Sequence, residues 1–161
     1  MLSASAQKVQ EALLSKGFEF KVIEFAESTR TAQEAAERAG CKLGQIVKSM
    51  IFKGLATGKP ILVLTSGSNR VDEKLISDYA QEPIGRADAI FVRTTTGFAI
   101  GGVPPIGHLN KMDTYLDVDI MQYTTIWAAG GTPNAVFELT PEALQLMTGG
   151  KVVEVKARTI Q

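Results

Sequence analysis

Lys48 stands where a charged side chain needs an explanation. It lies in IVKSMIFK, residues 46–53, whose β-branched and aromatic content reads as a strand. Alternation puts Lys48 on one face with Ile46, Met50 and Phe52, and leaves Val47, Ser49, Ile51 and Lys53 on the other. The first face is the more apolar, so it is expected to point inward and carry the ammonium into the core or a cavity. Lysine is almost never fully buried unless paired. This one must therefore snorkel out along its methylenes, find a carboxylate, or line a ligand site.

A second candidate is GFAIGGVPPIGH, residues 97–108, with four glycines, two adjacent prolines and the only histidine of the chain. Gly101–Gly102 lets main-chain amides approach a ligand unobstructed, and Pro104–Pro105 leaves the segment little freedom to lose on binding. The segment is either a tight irregular turn or a preorganised main-chain receptor. Gly130–Gly131, after TIWAA, reads as a plain turn or as part of the same cavity wall.

Other chemistries fail on residue type or spacing. One cysteine and one histidine cannot build a usual zinc site, so no metal and no cofactor are expected. GLATGKP has three residues between its glycines where a phosphate loop has four, and Pro60 stands where that loop needs Ser or Thr; it reads as a hairpin turn. Ser66 and Ser68 lack a nucleophile elbow. His108 reads as a polar loop residue and Cys41 as a small, half-buried filler.

These candidates must be held by surrounding elements. Helices are expected over 5–16, with Val9, Ala12 and Leu13 on one face, and over TAQEAAERAG, where Thr31 and Glu34 suggest a capping box and Gly40 a stop. Further helices are expected over 72–80 (Leu75, Ile76 and Tyr79 inward), over 87–93 and after Thr140–Pro141. Strands are expected at FEFKV, ILVLTSG, TYLDVDI, TIWAA, NAVFEL (Ala135, Phe137 and Leu139 on one face) and KVVEVK. Irregular mixing of strands and helices favours a mixed α/β sheet over a strictly alternating one.

The 161 residues suit a single domain over 1–161, with no repeat or linker. Hydrophobic residues make up 45%, enough for a full core. Seventeen basic residues balance seventeen acidic ones, which argues against a general polyanion-coating protein but allows a local basic mouth. A lone cysteine forms no intrachain disulfide and fits a reduced, cytoplasmic setting. MLSASAQKVQ is too polar for a signal peptide, and ILVL is too short to span a membrane.

VKSMIFKG, TTGFAIGGVPPIGH and TIWAAGGTPNAVFEL occur in that order, and the chain resembles the YbaK-like aminoacyl-tRNA deacylases, relatives of the editing domain of bacterial prolyl-tRNA synthetase. The resemblance runs from TAQEAAERAG to the last helix. It implies a curved, barrel-like mixed sheet surrounded by helices. The implied activity is hydrolysis of a mischarged aminoacyl-tRNA at its acceptor end, with tRNA-Pro as the carrier and prolyl-tRNA synthetase as a partner. It also implies that Lys48 is the essential lysine and that Gly101, Gly102, Val103, Pro104 and Pro105 form the G-x-x-x-P substrate loop. Phe25, Ser49, Gly130, Gly131 and Val136 complete the implied substrate contacts. Water or a ribose hydroxyl would act, with main-chain donors stabilising the oxyanion; one such donor is worth about 3–4 kcal/mol. Lys48 would hold the terminal phosphate or the developing charge.

The Cys-specific branch of that family carries a tyrosine and an aspartate where this chain has Phe25 and Val136. Another small residue, such as alanine, is therefore the expected leaving acyl group. The alternatives are a non-catalytic module that binds a nucleotide or tRNA end, and a synthetase-associated interaction domain. A tRNA ligand calls for local basic residues, expected at Lys42, Lys53, Arg70, Lys74 and Lys111.

Overall fold

The computed structural model describes residues 1–27, 29 and 31–157. The chain runs α1 (Ala4–Ser15), β1 (Val22–Glu24), α2 (Ala32–Ala39), β2 (Ile46–Gly54) and β3 (Pro60–Ser66). It continues with α3 (Glu73–Ala80), β4 (Ile84–Arg86), α4 (Ala89–Thr96) and β5 (Asp113–Asp117). It closes with β6 (Ile126–Ala129), β7 (Ala135–Leu139), α5 (Pro141–Thr148) and β8 (Lys151–Val153).

Among the described residues each of the five α-helices starts on a side-chain cap: Ser3, Thr31, Asp72, Asp88 and Thr140 each accept from a first-turn amide. Four of the five stop on a left-handed residue, Gly40, Gln81, Gly97 or Gly149. Local signals therefore set the helix boundaries. The helix expected over 87–93 begins instead at Ala89, where the Asp88 carboxylate accepts from the Phe91 amide at 2.8 Å.

Among the described residues eight strands form one mixed sheet in the order β1-β7-β6-β2-β3-β5-β8, with β4 added to β2. The β2–β3 hairpin is antiparallel, with Lys48 opposite Thr65, and GLATGKP is its turn. The β6–β2, β3–β5 and β5–β8 pairs are parallel. The mixed α/β expectation holds, and the strand path has two ends, β1 and β8.

The sheet is covered on both faces, which alters the expected inside and outside of β2. Val47 and Ile51 join the largest core, with α1, α4 and α5 residues. On the Lys48 face, Phe52 joins a second core with Ile61, Val63, Ile76 and Tyr115, and Ile46 joins a third with Ala35 and Ala36. Lys48 thus lies in β2 between residues buried under α3 and residues buried under α2. Alternation could not separate inside from outside, because both faces are apolar.

Three expected strands differ from the structure: KVVEVK pairs only over Lys151–Val153, FEFKV joins the sheet only at Val22, and TYLDVDI is cut short. Phe18 and Phe20 precede β1 and stack with ring centroids 5.9 Å apart. There the Gln10 carboxamide takes the place of a neighbouring strand, donating to the Phe20 carbonyl and accepting from the Val22 amide, each at 2.9 Å. TYLDVDI leaves the sheet at Asp117, whose carboxylate caps a 3-10 turn over Val118–Gln122.

Candidate active site

The middle of β2 has an open edge. On the side away from β3, Ile46 and Val47 pair with β6, whereas Phe52, Lys53 and Gly54 pair with β4. Between them the sheet parts, and a cavity of ≈ 260 Å³ occupies the gap. Val47, Lys48, Ser49 and Met50 form one wall and Trp127, Ala128 and Ala129 the opposite one. Thr31, Ala32 and Ala35 of α2 close one side, and Ile100, Gly101 and Val103 of the glycine–proline loop close another.

Alternation along β2 settles which main-chain groups meet this gap. The Ile46 carbonyl accepts from Gly67 on the β3 side, and the Ile51 carbonyl accepts from Ala87 on the other. Ser49, two residues before Ile51, therefore turns its N–H and C=O away from β3 and into the cavity. A strand-edge donor and acceptor are thus presented beside Lys48 (a pair that a ligand can satisfy).

The Lys48 side chain is half-buried, and its Nζ donates to the Asn69 carbonyl at 3.1 Å. Burial pushes its pKa below the ordinary 10.5, and the negative charge of Asp117 pushes it back up. One of three ammonium donors is engaged at Asn69, leaving two for a ligand.

The loop residues divide. Gly101 and Val103 line the cavity. Gly101 has φ +93° and an exposed surface, so its glycine identity serves backbone shape at an open position. Gly102 is buried against Thr132, and Pro104 and Pro105 are buried behind the cavity rather than in its lining. His108 sits on the same support: its ring Nε2 lies 2.6 Å from the Pro104 carbonyl.

Gly130 and Gly131 also lie outside the lining. A Cβ on Gly130 would fall 2.9 Å from Val22, and one on Gly131 would fall 2.6 Å from the Ser5 carbonyl oxygen. These glycines admit β1 and α1 close to the turn, which is the plain-turn reading with a packing reason. Phe25 lies outside the lining too, with the Arg38 guanidinium 5.9 Å from its ring centroid. Val136 lines the cavity, is 7% exposed and makes that part of the wall apolar.

Thr31, Ala32, Ala35, Ile46, Ile100 and Trp127 line the cavity but escaped the sequence reading. The run of small residues on one face of TAQEAAERAG was the available signal, since alanines allow close approach. None of Lys42, Lys53, Arg70, Lys74 or Lys111 lines the cavity; Lys53 stands over the Phe91 ring and Lys111 lines a separate polar cleft with Lys59 and Lys151. The lining contains no carboxylate, imidazole or thiol among the described residues. Among the described residues no group of three or more His, Cys, Asp or Glu is placed to hold a metal ion, and no helix is long and apolar enough to cross a membrane.

Fold and cavity define a mixed α/β protein with a small, largely apolar cavity bordered, among the described residues, by one lysine and a strand edge. Residues 26–146 match the family model of the aminoacyl-tRNA editing domain, and the chain belongs to that family. The match spans all three motifs that carried the resemblance. The chain is 34% identical to YwhH of Bacillus subtilis (strain 168), an uncharacterized protein, over 131 residues, 81% of this chain and 83% of YwhH. It is 30% identical over 142 residues to the "Putative Cys-tRNA(Pro)/Cys-tRNA(Cys) deacylase EbsC" of Enterococcus faecalis (strain ATCC 700802 / V583), 86% of each chain. A crystal structure described as "a putative trans-editing enzyme for prolyl tRNA synthetase" superposes with a TM-score of 0.94 at 47% identity, covering 98% of this chain and 100% of that one.

Proposed function

We propose that this protein hydrolyses the ester of a mischarged aminoacyl-tRNA carrying a small, uncharged amino acid, with tRNA-Pro as the carrier. One observation carries the reading. The gap in the sheet brings Lys48, the Ser49 main chain and Gly101 around a cavity of ≈ 260 Å³. That volume is below the about 300–1,000 Å³ usual for drug-sized ligands. It suits an aminoacyl group and part of a ribose better than a whole nucleotide, which argues against the nucleotide-binding alternative.

The chemistry needs no side-chain nucleophile. Water attacks the ester carbonyl carbon, the bond to the ribose oxygen breaks, and that oxygen leaves with a proton. The products are the free amino acid and the tRNA hydroxyl. With no carboxylate or imidazole among the described lining residues, the neighbouring ribose hydroxyl is the group available to relay the proton. Main-chain N–H groups of Gly101 and Ser49 are the donors for the oxyanion. The Ser49 carbonyl accepts from the α-ammonium of the substrate, and Lys48 meets the terminal phosphate or the developing charge.

The tRNA-Pro carrier and a prolyl-tRNA synthetase partner draw on the description of the superposed trans-editing structure. The apolar Val136 wall supports alanine or a near-isostere over cysteine, although EbsC is named for Cys-tRNA. The test is a deacylation screen of purified protein against a panel of mischarged tRNAs. Release of a small residue from tRNA-Pro is expected, and no turnover with any member rejects the reading.

A further inference from the structure

Behind Lys48 lies a polar row that the cavity does not use. Lys48 of β2 faces Thr65 of β3 across the antiparallel ladder. The β3–β5 register pairs Leu64 with Leu116, so its next step brings Thr65 beside Asp117. A lysine, a hydroxyl and a carboxylate thus follow one another across three strands on one face. Asp117 is 1% exposed, at the end of β5 where the chain leaves the sheet. Thr65 is fully buried, and its Oγ1 is the buried side-chain oxygen without a hydrogen-bond partner among the described residues.

A buried carboxylate is retained where its bonds are satisfied. Asp117 accepts from the Ser66 amide at 3.0 Å, the Asp119 amide at 3.0 Å and the Asn69 carboxamide at 2.9 Å. The same carboxamide donates to Asp119 at 2.8 Å, so Asn69 is clamped by two carboxylates. Its main-chain carbonyl is the acceptor that holds the Lys48 ammonium. The loop is also tied at Asn69 N to Ser66 O and, through Val71, to Lys156.

We infer that Asp117 is a positioning residue for Lys48, acting through Asn69, whose clamped carboxamide fixes the carbonyl on which the ammonium rests. This rests on the reading of Lys48 as the working group of a deacylase. The charged groups lining this corner are Asp117, Asp119, Glu154 and Lys156, with Arg70 next to Asn69 in the chain, while Thr65, Ser66 and Asn69 are neutral. Lys156 lies 3.7 Å from Asp119, and Asp117 is the carboxylate whose charge reaches Lys48. Its charge opposes the effect of burial on the Lys48 ammonium.

The test is the Asp117→Asn variant, read in two ways. Carbon-13 NMR of lysine-labelled protein, with the Lys48 signal assigned by its loss in Lys48→Arg, gives the Lys48 titration directly. Removing the carboxylate charge should move that midpoint to lower pH, and the alkaline limb of the kcat/KM profile should move with it. An unchanged midpoint in folded Asp117→Asn overturns the inference. Should Asp117→Asn not fold, Asn69→Ala decides. That variant keeps the main chain and the two amide bonds of Asp117, and about a tenfold fall in kcat with KM changed less than about threefold is expected. Wild-type kcat in Asn69→Ala overturns the inference. A moved Lys48 midpoint in a protein that deacylates nothing supports the link from Asp117 to Lys48 and rejects only the proposed function.

Discussion

The Cα of Gly102 backs onto the main chain of Thr132: a Cβ there would fall 2.7 Å from the Thr132 Cα and 2.8 Å from its nitrogen. Gly101, one residue earlier, has Pro133 Cγ at 3.8 Å as its nearest such neighbour, but a φ of +93°. Adjacent glycines thus serve different ends. Gly102→Ala should destabilise the fold by about 1–3 kcal/mol through overpacking against backbone. Gly101→Val should instead cut kcat/KM at temperatures well below its melting transition. Thermal melts and deacylation rates on both variants separate the two. A Gly102→Ala melt like wild type would contradict the packing assignment.

Lys48→Ala should abolish deacylation and leave the fold intact. Its ammonium makes one hydrogen bond, to a carbonyl, and carries a desolvation penalty that the variant removes. Lys48→Arg should fail as well, because a planar fork cannot replace a compact ammonium. Circular dichroism establishes folding and single-turnover kinetics establishes activity; wild-type turnover in Lys48→Ala removes the mechanism.

Substrate choice should follow the apolar wall at Val136. Alanine on tRNA should be hydrolysed faster than cysteine or proline on the same tRNA. One methylene is worth only about 1–3 kcal/mol, or about 10- to 200-fold, so discrimination among small residues should be modest. Side-by-side rates on the three esters check this. Cysteine as the fastest leaves the deacylase reading standing and removes the role given to Val136.

His108 should matter for stability rather than turnover. Burial lowers its pKa below the ordinary 6.5, and the bond to the Pro104 carbonyl partly restores it. The folded state therefore binds this proton less readily than the unfolded state. The associated stability is present above about pH 6.5 and is lost as pH falls through the lower folded value. His108→Ala should flatten that part of the stability–pH curve and keep kcat/KM within about threefold. Loss of turnover in folded His108→Ala would make His108 a catalytic base.

The helices were legible because their caps and stops are local. Thr31, Gly40, Thr140 and Gly149 act within a few residues of sequence. The cavity was only half legible. Of the residues singled out, Lys48, Ser49, Gly101, Val103 and Val136 line it, and Phe25, Gly102, Pro104, Pro105, Gly130 and Gly131 lie outside its lining. Glycine marks close approach without saying what approaches: α1 and β1 do so at Gly130–Gly131, and Thr132 does so at Gly102. The gap itself arises because one strand pairs with β6 and then with β4, which contribute residues 126–129 and 84–86. β4 escaped notice because IGR is too short to show a period. The row from Lys48 to Asp117 depends on register across three strands, which no single segment encodes.

The open edge at Ser49 makes the centre of the sheet uneven in its hydrogen exchange. Amides of β3, paired on both sides by β2 and β5, open only with large-scale unfolding and should be the slowest. The Ser49 amide, in the same hairpin, faces the gap and should trade its proton for deuterium at a loop-like rate. Its neighbour Lys48, turned toward β3, should exchange slowly. Occupation of the cavity by a non-hydrolysable aminoacyl-adenosine should slow the Ser49 amide selectively. Residue-resolved exchange would thus report occupancy of the site without any turnover.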